Sequence, residues 1–161
     1  MTELATPAPE SGFRFEPAAD HPGWHVWELI DQTRFNAAVM GRMIVREEVD
    51  AKGTRAVRLR MFPERRHSNL LDAIHGGVTL SLIDISLFSA LRLLLGADAA
   101  GSVTLDLSTQ FIGAGRVGMP LDAVCEVLRE TRRLVFLRGI VEQDGHMVAA
   151  FNGTVRKASA R

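Results

Sequence analysis

The sequence predicts an α+β fold in which a curved antiparallel sheet of six strands wraps one long central helix. Three observations carry that reading. Residues Val78 to Leu95 are apolar on nearly every helical face, and a helix of that kind has to be enclosed. Six runs of β character flank it, two before and four after. Between the last two runs stands Asp144-Gly145, a strong tight-hairpin signal that makes neighbouring strands antiparallel.

In chain order, residues 1–20 are rich in Pro, Ala and Glu without lasting periodicity and read as a mobile tail. Trp24, Val26, Trp27 and Leu29 then form a short apolar patch, read as a helix packing on the domain. Residues 1–36 are thus an N-terminal extension, partly mobile, and 37–161 a single domain. A first β run spans 39–49, and a turn at Asp50-Ala51-Lys52-Gly53 leads to a second. There Val57, Leu59 and Met61 alternate with Arg58 and Arg60, the period of a half-buried strand. Pro63 ends it, and a polar connection over 64–74 leads to His75-Gly76-Gly77 and the helix. Gly96 supplies the helix stop. Strands follow over 102–112, 121–130, 134–143 and 147–156. Such a sheet has open edges, and a strand at 102–112 would pair with its own copy, so a homodimer is expected.

The chain has 161 residues, 47% hydrophobic and 24% charged, which suits one globular domain with a sizeable core. Nineteen basic residues balance nineteen acidic ones, so no global field favours nucleic acid or an anionic membrane, and any anion site must be local. Cys125 is the only cysteine, which excludes an intrachain disulfide and a Cys-based zinc site and fits a reducing cytoplasm. Met1 to Glu10 lacks the basic-then-apolar order of a secretory signal. Val78 to Leu95 has the length of a membrane span, but a central Asp84 would cost about 2.5–3.5 kcal/mol there. Ser81, Ser86, Ser89 and Arg92 add polar positions, so a buried core helix is the expected role.

Asp84 in that apolar stretch is either a paired structural acid or a working base. The glycines of His75-Gly76-Gly77 favour the second, because they free backbone N–H groups at a helix start, where partial positive charge gathers. A desolvated carboxylate makes a better proton acceptor, and the Gly76 N–H would stabilise an oxyanion. Hydrolysis of an activated acyl group needs both parts. His75 has no second metal ligand at suitable spacing and is read as shaping the turn, with no metal site. Gly113-Ala114-Gly115-Arg116-Val117-Gly118 fits GxGxxG, but a strand follows where a dinucleotide site needs a helix, so a loop is expected. Cys125 reads as a small buried hydrophobe, and no Gly-x-Ser-x-Gly elbow occurs. Arg129, Arg132 and Arg133 are either a solvated hairpin end or a local phosphate site.

At this point the chain resembles the hotdog-fold acyl-CoA thioesterases of the PaaI-like, phenylacetate-pathway type, within the 4-hydroxybenzoyl-CoA thioesterase superfamily. The resemblance centres on Asn69-Leu70-Leu71-Asp72-Ala73-Ile74-His75-Gly76-Gly77 and Leu82-Ile83-Asp84, with Asn six residues before the histidine and the acid nine after it. Ser102-Val103-Thr104-Leu105-Asp106 is similar to the strand carrying the family's catalytic hydroxyl, which places Thr104 in that role. The resemblance implies an acyl-CoA thioesterase without a cofactor, acting as a homodimer or a dimer of dimers. Asp84 would be general base or nucleophile and the Gly76 amide the oxyanion donor, with Gly77, His75, Asn69 and Thr104 completing the site. Asp84 and the oxyanion donor would come from opposite subunits. Coenzyme A would meet Arg129, Thr131, Arg132, Arg133 and Arg156, with Phe111 as a further substrate contact. The chain departs from the family in the loop 114–120 and in residues 1–36. The rival readings are a non-catalytic acyl-CoA sensor and a hotdog dehydratase, and neither the residues nor the resemblance fixes the acyl group.

Overall fold

A helix apolar on most sides needs a wall on most sides, and the chain supplies it with a single sheet. The computed structural model describes residues 12–97, 99 and 101–158. In it the helix α1 (Gly76–Leu95) is packed by β4 (Met43–Val49), β5 (Arg55–Met61), β6 (Val103–Phe111), β7 (Leu121–Glu130), β8 (Leu134–Gln143) and β9 (His146–Arg156). These are the six strands the sequence predicts. Short strands precede them: β1 (Phe13–Arg14), β2 (His25–Val26) and β3 (Glu28–Leu29). The main sheet runs β2-β4-β5-β7-β8-β9-β6 with every pair antiparallel, so β2 makes it seven-stranded, and β1 pairs separately with β3.

Alternation decides which face meets the helix. Val57, Leu59 and Met61 are fully buried, as are Leu82, Ile83, Leu87, Ala90 and Leu91 of α1, and all belong to one core. Gly153 lets β9 approach the helix, since a Cβ there would stand 2.8 Å from Leu87. Ser86 and Ser89 are buried inside α1 without cost to the core because each hydroxyl donates to a carbonyl one turn back, Ile83 at 2.7 Å and Ser86 at 2.8 Å. Gly96 closes the helix in the left-handed conformation at φ 62°, and Asp144 and Gly145, at φ 47° and 79°, make the tight hairpin. The helix long and apolar enough for a membrane span therefore has its apolar faces occupied by the sheet.

On the other face, Arg58 contacts Glu48, Asp122 and Glu142 at 2.7, 2.9 and 2.7 Å, and Arg60 contacts Asp122 at 2.7 Å. Burial pushes the Glu48 carboxyl up, but hydrogen bonds from Arg58 and Arg46 outweigh it and hold Glu48 below its usual range.

Two expectations need correction. Trp24 to Leu29 is not a helix: Val26 pairs with Ile44, the Trp27 N–H donates to Met43 O at 3.0 Å, and the segment serves as edge strands. The guanidinium groups of Arg46 and Arg60 both lie over the Trp24 ring, 4.5 and 4.6 Å from its centre, while Trp27 enters the main core. The run expected from Val39 begins as a strand only at Met43, because Asn36–Met40 winds into one wide helical turn that Gly41 ends at φ 73°. Of the tail expected to be mobile, residues 1–11 lie outside the described residues, whereas Phe15 and Ala18 are buried.

Candidate active site

The site is built where the connection from β5 delivers the chain into α1. His75 is the N-cap of the helix: its backbone is extended (φ −63°, ψ 136°) and its Nδ1 accepts from the Gly77 N–H at 2.9 Å. The ring thus occupies one of the helix-start donors and shapes the turn. Gly76 is the first helical residue, and its N–H has no acceptor among the described residues, so it stays available at the positive end of the helix.

Two backbone bonds fix the turn: the His75 N–H donates to His67 O and the Ile74 N–H to Gly115 O, both at 2.8 Å. Asn69 shapes the approach through Oδ1, which accepts from the N–H groups of Leu71 at 2.8 Å and Ala73 at 3.2 Å. His67, which the sequence reading passed over, clasps the assembly. It is 2% exposed, Nδ1 accepts from the Glu64 N–H at 2.8 Å, and Nε2 lies 2.7 Å from Val39 O. Its place between two arginines and a serine looks like a solvated run in the sequence, so nothing signalled its burial.

Asp84 is half-buried, less enclosed than its apolar neighbours suggest. Its Oδ1 accepts from Thr104 Oγ1 at 2.7 Å, which brings two of the expected site residues together from elements twenty residues apart. A β-bulge makes this possible. Between Thr104 and Asp106 the register of β6 on β9 shifts, so Thr104 faces α1 although Leu107, three residues on, also packs into the core. Strict alternation would have put them on opposite faces.

Gly76 and Asp84 of one chain do not meet. Eight residues of α-helix separate them by about 12 Å along the axis. Phe111 lies at the Gly76 end, where a Cβ on Gly76 would be 3.4 Å from its ring. Thr104 lies at the Asp84 end. Strand β6 carries both on the open edge of the sheet, with Val103, Leu105 and Phe111 exposed by 41, 55 and 56%.

The arginines gather at one end of the sheet. Arg156 stands opposite Val103 and Leu134, Arg129 opposite Phe136, and Arg132 and Arg133 lie in the turn joining β7 to β8. All four are exposed. The Thr131 hydroxyl is occupied inside this hairpin, accepting from the Leu134 N–H at 2.9 Å. Burial pushes the Cys125 thiol up to about 12, so it stays neutral and is no nucleophile. The glycine-rich string 113–118 forms the β6–β7 loop, where the buried Gln143 accepts from the Arg116 N–H and donates to Arg116 O and Met119 O. A groove of about 530 Å³ lined by Arg58, Val124, Glu126 and Arg138 contains none of the candidate catalytic residues.

A family model described as the thioesterase superfamily matches residues 71–150, which hold Gly76, Asp84 and Thr104. The chain belongs to the thioesterase superfamily. It is 26% identical over 73 residues to mouse acyl-coenzyme A thioesterase 13, covering 45% of this chain and 51% of that relative, so it matches about half the relative's length. The zebrafish thioesterase superfamily member 2 structure superposes with a TM-score of 0.65 at 23% identity, covering 80% of this chain and 89% of that one. The Escherichia coli PaaI protein of the phenylacetic acid degradation operon gives 0.62 at 17%, covering 81% and 89%. At these identities the superpositions establish the hotdog fold.

Proposed function

We propose that this chain hydrolyses acyl-CoA thioesters to a free acid and CoA, in a site completed by a second copy. The observation that carries the reading is the Asp84 carboxylate held by Thr104, on the same helix as an unsatisfied Gly76 N–H but about 12 Å from it. One carbonyl cannot lie within hydrogen-bond reach of both groups of one chain. Antiparallel self-pairing of β6 resolves this. A full-length register centred on Leu107 sets Val103 opposite Phe111 of the partner subunit, and so brings Gly76 of the partner subunit towards Asp84.

In that arrangement Asp84 takes a proton from water as the water oxygen bonds to the thioester carbon. The carbonyl oxygen gains the electron pair and accepts from the Gly76 N–H of the partner subunit. Collapse breaks the C–S bond, and the proton held by Asp84 passes to the CoA sulfur. Attack by the Asp84 carboxylate itself, followed by hydrolysis of the mixed anhydride, uses the same groups. Water is the only co-reactant. Arg129, Arg132, Arg133 and Arg156, next to the Thr104 end of β6, suit the CoA phosphates. Medium-chain and aromatic acyl groups both fit this scheme.

The test is CoA release from a panel of aromatic and straight-chain acyl-CoAs, comparing wild type with Asp84→Asn. Removing the base should lower turnover about 10²–10⁴-fold in a folded variant. Acyl-CoA binding without hydrolysis by the wild type would make the chain a sensor, with Asp84 a structural acid.

A further inference from the structure

Asp84, Phe88 and Arg92 recur every four residues along α1 and share one face. All three are half-buried, while Leu87, Ala90 and Leu91 beside them are fully buried. A stripe of half-buried side chains therefore leads from the candidate catalytic carboxylate past an aromatic ring towards the helix C-terminus, as far as Arg92. There it meets the N-terminal extension. The Arg92 guanidinium lies 5.5 Å from the centre of the Phe13 ring and 5.1 Å from that of Phe15.

Those rings are held in place by the fold. Phe15 stacks on His25 at 4.8 Å with planes 7° apart, and Phe13 meets Trp27 edge-on at 4.6 Å. His25 and Trp27 are tied to β4 through strand pairing and the Trp27 N–H, and an Arg14–Glu28 ion pair joins β1 to β3. Phe15 and Trp27 are buried, so the strap is part of the core.

We propose that Phe13 and Phe15, seated on Arg92, form the end wall of the acyl-binding stripe and set the greatest acyl length the protein accepts. From Asp84 to Arg92 the helix rises about 12 Å. That span takes a medium-chain acyl group or an aryl group and stops a long-chain fatty acyl group. Placing the acyl carbonyl at Asp84 rests on the proposed function, while the wall itself rests on the contacts of the extension.

The experiment measures binding of saturated acyl-CoA thioether analogues of increasing chain length, which cannot be hydrolysed, to full-length wild type, Phe13→Ala and Phe13→Trp. Hydrolysis of the matching thioesters is followed in parallel, and thermal melts report folding. Each methylene that fits should tighten binding about fourfold, up to a limit in the medium-chain range. Phe13→Ala should move that limit to longer chains and Phe13→Trp to shorter ones; the second variant serves if the first does not fold. The same limit in the wild type and the folded variants, binding independent of chain length, or no binding would each overturn the inference. A shifting limit without hydrolysis would sustain the wall and remove the hydrolase reading.

Discussion

If each site takes Asp84 from one subunit and Gly76 from the other, two inactive variants should make one active dimer. Asp84→Asn removes the base. Gly76→Pro is the matching change, because proline is at home in the first helical position and lacks only the N–H in question. The extended ψ of 136° at His75 is what a residue before proline requires, and the new Cβ would meet Phe111 at an ordinary 3.4 Å. The helix should survive while the oxyanion donor is lost, at about 10²–10³-fold in kcat. In a heterodimer of the two variants, one site carries both defects and the other carries none. Co-expression with two affinity tags and sequential purification isolates that species. It should show about half the wild-type kcat per dimer with an unchanged KM, against two nearly inactive parent homodimers. A heterodimer as inactive as its parents would place both groups in one subunit, and a fully active Gly76→Pro homodimer would remove Gly76 from the mechanism.

Thr104→Val keeps the shape of the side chain and deletes the hydrogen bond to Asp84. A bond to a charged group is worth about 1.5–3 kcal/mol, so kcat/KM should fall about 10–150-fold, with Thr104→Ser close to wild type; equal activity in all three would show that the bond is idle. His67→Phe orphans the Glu64 N–H and Val39 O, each at about 1–3 kcal/mol, and urea unfolding should show the loss; an unchanged midpoint would leave the clasp without energetic weight. Glu48 is held below its usual range in the folded state, so its contribution to stability is complete above its ordinary value of 4.5 and is lost as pH falls through the lower folded value. Acid unfolding of Glu48→Gln should therefore show a shallower fall in stability below about pH 4.5, and an identical slope would refute that role.

Much of the fold was legible because its signals are local. Asp50-Ala51-Lys52-Gly53, Asp144-Gly145 and Gly96 each set a backbone conformation within a few residues, and β7 and β8 lie where the β-like runs of the sequence place them. Trp24 to Leu29 failed for the opposite reason. Six residues of apolar pattern suit a short helix or two edge strands equally, and only the hydrogen bonds offered by β4 decide between them.

The candidate site divides the same way. By itself the sequence determined a helix start at His75-Gly76-Gly77, a turn-shaping role for His75 and the presence of an acid two turns on, because spacing along a helix fixes their order and separation; that His75 does so as the N-cap was shown by the structure. That Asp84 and Thr104 touch, that His67 is buried, and that Phe13 and Phe15 close on Arg92 were decided by tertiary structure alone. Each depends on a strand register, a bulge or a docked segment, and those are set by pairing between distant parts of the chain that no local pattern encodes.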